Sequence, residues 1–318
     1  MFILLYIFEN LLFINKSSRS VKFLVRIIYR ASLFSKALEQ PTTELKTSKY
    51  MSKIKVLLDC AIRDDESGKG GYKKGGKRYP NYMSQDEWEE YLHRIPEAIQ
   101  KAIKKELAGN PPHMACFGSS CRMAYNLLKD VKGIEFEKGL SIKTSRGKAN
   151  LDAYLKETKA EICIEAKCHE IYEKHKGSKA YIEVYKFLNE WNEKFIFNAK
   201  KLTFSYNGED IAYFDLKQLI CHYLGIAAAI LQSSLGPDIR FLYLIYNPEK
   251  VAKLIDKRYR DKILAIYERV KEEMALFENW LFDAIFEYQK RNICPSSDVV
   301  YRFEFHRVDQ ESWREHLK

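Results

Sequence analysis

Residues 149–167 read ANLDAYLKETKAEICIEAK, two runs of alternating apolar and polar residues parted by Thr158-Lys159. Alternation sends successive side chains to opposite faces of a strand, so the runs bury their apolar sides together only if they pair in register. With Thr158-Lys159 as a two-residue hairpin loop, Asp152 lies directly opposite Glu165. Leu151, Ala153 and Leu155 then share one face with Ala166, Ile164 and Ile162, while Asp152, Tyr154, Glu165 and Lys167 share the other. Thr-Lys is not a favoured primed-turn pair, but a register shift of two residues would preserve these faces.

The flanking sequence supplies partners for this hairpin. A helix is expected after Ser119 or Ser120, with Met123, Ala124, Leu127 and Leu128 as its apolar stripe, and a strand over Gly133–Lys143. Downstream, Asp215–Gln232 reads as a strongly apolar helix, and Ile239–Tyr246, bounded by Pro237 and Pro248, as a buried strand. The expected fold is therefore α/β: helix, three strands, helix, strand in a mixed sheet flanked by helices, within residues 113–248. Residues 170–210 form a helical insertion in this reading, their aromatics (Tyr181, Tyr185, Phe187, Trp191, Phe195, Phe197) assigned to the core. Segment 51–112 carries a helix from Ser84 to Lys105, stopped before Asn110-Pro111-Pro112. Segment 249–318 supplies one or two C-terminal helices to Arg291 and a last strand near Val299–Phe305, packing on the core.

A chain of 318 residues with 46% hydrophobic and 30% charged residues is globular rather than disordered. Its formal net charge of +10 suits a polyanionic partner, though such a charge also serves plain solubility. Ser67–Tyr79 (SGKGGYKKGGKRY) is read as a flexible loop, with Lys69, Lys73, Lys74, Lys77 and Arg78 available to a nucleic-acid backbone. It contains the opening of a P-loop, but Arg78 stands where Ser or Thr must hold magnesium, so nucleotide binding is rejected. Seven cysteines, with no CxxC pair, point to reduced thiols and a cytoplasmic protein. The Cys116/Cys121 and Cys163/Cys168 spacings resemble halves of a metal site, but cysteine is so often buried that a core role is preferred. The apolar run Phe2–Ile14 is too short to span a bilayer, which takes about 20 residues, and residues 1–50 are read as a leader or an over-long translation start before Met51.

Two carboxylates and an ammonium on one sheet face suit phosphodiester hydrolysis. Hard magnesium takes oxygen ligands, a bound cation generates hydroxide at neutral pH, and a lysine stabilises the charge that develops on phosphorus. Glu157-Thr-Lys159 and Asp130-Val-Lys132 fit the same short string, but neither sits in an alternating strand opposite an acid. The competing reading is a solvated Glu-Lys pair on a sheet face, contributing about 0.2–1 kcal/mol.

With Asp152 on the second strand and Glu165-Ala-Lys167 on the third, the order of elements resembles the core of the PD-(D/E)XK nuclease superfamily. GSSCRMAYNLL, ANLDAYL, IEAKCHEIY, KQLICHYLGIA and FLYLIYNP resemble more narrowly a group of bacterial restriction-endonuclease-like proteins, over about residues 113–248. That resemblance implies a magnesium-dependent DNA endonuclease, with manganese as a substitute metal. Asp152, Glu165 and the backbone carbonyl of Ala166 would hold the cation, and Lys167 would act on the water. Gln218 and His222, one helical turn apart, and Ser120 are auxiliary candidates. The partner implied is DNA, with a homodimer as one compatible assembly. Many such nucleases also carry a glutamate on the first core helix. Ser119–Leu128 has none, Glu106 is the nearest upstream, and a two-metal mechanism is therefore in doubt. The same site also serves repair or recombination exonucleases, and a weakly catalytic relative would act as a nucleic-acid-binding protein.

Overall fold

Helix α1 (Glu44–Asp65) places Ile54, Leu58, Ala61 and Ile62 on one stripe, and all four are buried. The structure, a computed structural model, describes residues 44–144, 147–277 and 280–317, with side chains from residue 51 onward. Apart from the start of α1, the proposed leader of residues 1–50 lies outside the described residues. Tyr50–Lys318 cluster as one compact unit, and the expected segments 51–112, 113–248 and 249–318 all lie within it.

The basic stretch expected to be a flexible loop is instead a hairpin of β1 (Tyr72–Lys74) and β2 (Lys77–Tyr79), with Lys74 opposite Lys77. Gly75 and Gly76, at φ 54° and 74°, supply the two positive dihedrals that a two-residue primed turn demands. Glycine is here a turn-former, not a sign of slack chain. The single helix expected over Ser84–Lys105 is likewise two, α2 (Gln85–His93) and α3 (Glu97–Ala102). Pro96 separates them because it has no N–H to donate and disfavours helical dihedrals at Ile95. Ser84 and Glu87 cap α2 reciprocally.

α4 (Ser120–Leu128) starts on Ser119, whose hydroxyl accepts the Arg122 N–H at 3.3 Å. The strands β3 (Glu135–Ser141), β4 (Lys148–Lys156) and β5 (Glu161–Lys167) follow as an antiparallel meander. The β4/β5 register is the expected one, pairing Ala153 with Ile164 and Lys156 with Glu161. Residues 170–210 are not purely helical. After α5 (Ile182–Trp191) the chain makes a three-stranded meander, β6 (Phe195–Asn198), β7 (Thr203–Tyr206) and β8 (Glu209–Ile211). Phe195 and Phe197, two residues apart as on one face of a strand, pack against Phe204 across this meander.

α6 (Leu216–Leu231) returns the chain to the sheet, and β9 (Asp238–Ile245) inserts parallel to β5. The tail contributes α7 (Glu249–Ala252), α8 (Lys257–Ala275), α9 (Leu281–Ile293) and β10 (Arg302–Asp309), which joins β9 in parallel. The strand order is β10-β9-β5-β4-β3, a mixed sheet flanked by helices. Tyr223 of α6 and Phe282 of α9 meet Phe303 of β10, and Tyr223 also meets Phe241 of β9, fixing those helices on the sheet. No helix among the described residues is long and apolar enough to cross a membrane.

Candidate functional site

Every residue of β5 is buried, charged ones included, because strands pair on both its edges and helices flank the sheet. Glu165 is 1% exposed and Lys167 7%, so neither charge is hydrated and each must find a partner. They find one another: Lys167 Nζ donates to Glu165 Oε1 at 2.6 Å. Gln218 Nε2 donates to the same oxygen at 2.6 Å. Burial pulls the Lys167 ammonium down, but the Glu165 carboxylate beside it prevails and holds the lysine well above its ordinary range. Burial alone would push Glu165 up, but Lys167 and His222 hold it below the usual carboxylate range.

His222 Nε2 comes within 2.9 Å of Glu165 Oε2, but without the direction of a hydrogen bond. Both ring nitrogens and Glu165 Oε2 therefore remain buried without a hydrogen-bond partner. Gln218 and His222 reach Glu165 together because they lie one turn apart on α6, whose first turn Asp215 caps by accepting Gln218 N–H at 3.0 Å. Asp215 is itself fixed by His175 Nδ1 at 3.3 Å.

Asp152 departs from a plain cross-strand partner of Glu165. The β4/β5 ladder ends at Ala153–Ile164, and Asp152 Oδ2 accepts the Ala166 N–H at 2.6 Å. On the other side of β4 the pairing also skips Asp152, where Glu137 of β3 adopts φ 55°. Burial and the nearby Glu165 charge push the Asp152 carboxyl well above its ordinary range. Glu137 is pushed up to about 7 by burial, Glu106 and Glu165. Sequence reasoning missed Glu137, since a glutamate in a strand whose neighbours alternate carries no mark of its own. Glu106 follows α3, half-buried, and adds its charge from there rather than from the first core helix.

Ser120, an auxiliary candidate, does not join this group. Its hydroxyl donates to Glu170 Oε2 and accepts the Cys168 N–H at 2.8 Å, tying α4 to the chain just beyond β5. Lys69, Lys73, Lys74, Lys77 and Arg78 are exposed in and beside the β1/β2 hairpin. Lys74 Nζ donates to the Asn110 carbonyl at 2.7 Å, leaving Lys73, Lys77 and Arg78 the better placed for an external anion. All seven cysteines are free, and Cys121, Cys163 and Cys168 are buried as expected. Two surface hollows, one lined by Tyr91, Arg122 and Asn126, the other by Lys156, Gly236 and Val300, share no residue with the carboxylate pair.

Chemically, the arrangement offers a carboxylate oxygen that faces only the His222 ring, a second carboxyl disfavoured as an anion by its surroundings, and an ammonium bound to the first carboxylate. A cation between Asp152 and Glu165 would answer the first two together. No family model matches the chain, and neither a curated protein nor a solved structure matches it.

Proposed function

We propose that the chain is a metal-dependent endonuclease that hydrolyses DNA phosphodiester bonds, on a restriction-endonuclease-like core of the PD-(D/E)XK kind. The observation that carries this reading is the buried Glu165, whose Oε1 is held by Lys167 and Gln218 and whose Oε2 faces His222 at 2.9 Å, with Asp152 one strand away. The succession α4, β3, β4, β5, α6, β9 and the net charge of +10 support it.

Magnesium, or manganese in its place, fits Asp152, Glu165 and the Ala166 carbonyl, and would supply positive charge against the phosphate and a hydroxide at neutral pH. Lys167 orients the attacking water and neutralises charge developing on the phosphoryl oxygens. Gln218 keeps Glu165 Oε1 turned toward the lysine, while His222 stands 2.9 Å from Oε2, so the imidazole would share that oxygen with a bound cation. The exposed cations of the β1/β2 hairpin hold the DNA backbone without reading its sequence.

The full chain, incubated with supercoiled and linear DNA with and without magnesium or manganese, tests this beside Asp152→Asn and Lys167→Met. Metal-dependent cutting by the wild type alone is the expected result, with discrete fragments. A ladder receding from DNA ends would assign the same residues to an exonuclease. Equal cutting by all three proteins, or binding without cutting under any metal, would overturn the assignment.

A further inference from the structure

Asp59 of α1, Cys116 before α4 and His169 beyond β5 meet in the interior, and each offers a ligand atom lying within 4.8 Å of the other two. His169 Nδ1 lies 2.8 Å from Asp59 Oδ1 and 4.0 Å from Cys116 Sγ, and Cys116 Sγ lies 3.3 Å from Asp59 Oδ2. Asp59 is 1% exposed and Cys116 3%, so this is no solvated surface cluster. Among the described residues it is the one group of three or more such side chains that converges in this way. It contains only one member of the CX4C pairs, Cys116; Cys121 stays in the core.

A nucleophilic Cys-His-Asp arrangement is the first reading to weigh, and the geometry goes against it. There the base addresses the thiol with one ring nitrogen and the acid with the other, whereas here sulfur and carboxylate both face Nδ1. Burial and then the Asp59 charge push the Cys116 thiol up, the reverse of activation.

A metal suits the same atoms. Tetrahedral zinc bonds of about 2.3 Å to sulfur and about 2.0 Å to nitrogen and oxygen imply ligand separations of about 3.5 Å from sulfur and about 3.3 Å between nitrogen and oxygen. The observed 3.3, 4.0 and 2.8 Å each differ from these by about half an ångström or less, the first measured to Asp59 Oδ2 and the last to Oδ1, so both carboxylate oxygens face the site. Two neighbours add independent support. A Cβ on Gly118 would stand 1.8 Å from Asp59 Oδ1 and 2.7 Å from His169 Nδ1, so only glycine lets both ligand atoms turn inward there. Asn81 Nδ2 donates to Asp59 Oδ2 at 3.0 Å and to Cys116 Sγ at 3.7 Å, an outer partner for two anionic ligands at once.

We propose that Asp59, Cys116 and His169 bind one zinc-class transition metal, separate from the cation at Asp152 and Glu165. Thiolate and imidazole select zinc, cobalt or ferrous iron over magnesium, manganese and calcium. Three protein ligands leave the fourth tetrahedral position to solvent, on the side of the partly exposed His169. Bound metal would tie α1 and the approach to α4 to the exit of β5, two residues beyond Lys167. The inference is independent of the nuclease reading, because it requires no particular chemistry at Glu165.

The test strips the full chain with a chelator and titrates it with cobalt(II), reading the thiolate-to-cobalt charge-transfer absorption and the thermal unfolding midpoint. One equivalent of cobalt should raise the band and the midpoint together, zinc should displace it, and excess magnesium should not. Cys116→Ser, whose hydroxyl can keep the bond to Asp59, should lose the band yet stay folded. Asn81→Ala should weaken binding by about 10–100-fold. Asp152→Asn should keep the band, which separates this site from the carboxylate pair. A folded wild type without the band, a band that survives in Cys116→Ser, or one lost in Asp152→Asn would each overturn the proposal. If Cys116→Ser fails to fold, His169→Gln at the more exposed edge decides: unchanged cobalt affinity overturns the proposal, and a loss of about tenfold or more supports it.

Discussion

Replacing Lys167 with methionine removes a buried cation of similar length while leaving Glu165 in place. Glu165 is 1% exposed and loses a partner at 2.6 Å, so an uncompensated interior charge results. Breaking one side of a buried pair costs about 3–5 kcal/mol. Gln218 at 2.6 Å and His222 at 2.9 Å still face the carboxylate, which places the expected loss at the low end, about 3 kcal/mol. At about 2–4 °C per kcal/mol, the midpoint should fall by about 6–12 °C. The double variant Glu165→Gln/Lys167→Met carries no buried charge at this pair and should recover to within about 1 kcal/mol of the wild type. Chemical denaturation of these two variants, the wild type and Glu165→Gln completes the cycle. Magnesium should restore part of the stability of Lys167→Met, since a cation beside Asp152 would again face Glu165, and none in the double variant. A loss below about 1 kcal/mol in Lys167→Met, or a double variant as unstable as the sum of the singles, would refute the claim that the two charges depend on each other. Cutting of DNA should be absent in every variant, so stability and activity would part company in the double.

Glu273 is 1% exposed and accepts the N–H groups of Ala212, Tyr213 and Phe214 at 3.2, 3.0 and 2.8 Å, as well as Arg269. Glu273→Gln should therefore cost about 3 kcal/mol in denaturant unfolding, and a loss under about 1 kcal/mol would show that the backbone turn holds without the charge. Asp215 is held down at about 2, the His175 ring prevailing over burial, which pulls the other way. A depressed carboxylate stabilises above its unfolded value and loses that contribution as pH falls through the folded one. Wild-type thermal midpoints should thus drop between about pH 4 and pH 2, and Asp215→Asn should remove that part of the drop. The triple variant Lys73→Gln/Lys77→Gln/Arg78→Gln should leave unfolding unchanged and reduce the salt slope of DNA binding by roughly one per residue. An unchanged slope would take the hairpin out of the DNA interface.

What could be read in advance follows the range of the physical signal. The β4 and β5 runs declare themselves because alternation is set by each residue and its neighbours, and β5, Glu161–Lys167, lies within the second run, beyond the Thr158-Lys159 break. Gln218 and His222 were legible as a pair because helical period alone puts them side by side, and one contact with Glu165 brings both to it. Where a segment is assigned by its aromatic content, local reading misleads: Phe195 and Phe197 stand two apart, the strand period, inside what is read as a helical insertion. The better signal was Asn207-Gly208, whose φ values of 51° and 81° make the primed turn between β7 and β8. Pro96 carried a sufficient stop signal that four well-spaced apolar residues, Trp88, Leu92, Ile95 and Ile99, obscured. Asp59 and His169 differ in kind, for they lie 110 positions apart in the chain and within 2.8 Å in space. Neither has a periodic context that depends on the other, so no window of sequence contains the relation. Only the path of α1 against the end of β5 creates it. A site assembled in this way is invisible to pattern and depends wholly on packing, which is why Gly118, an unremarkable residue in sequence, is the position at which a single methyl group would undo it.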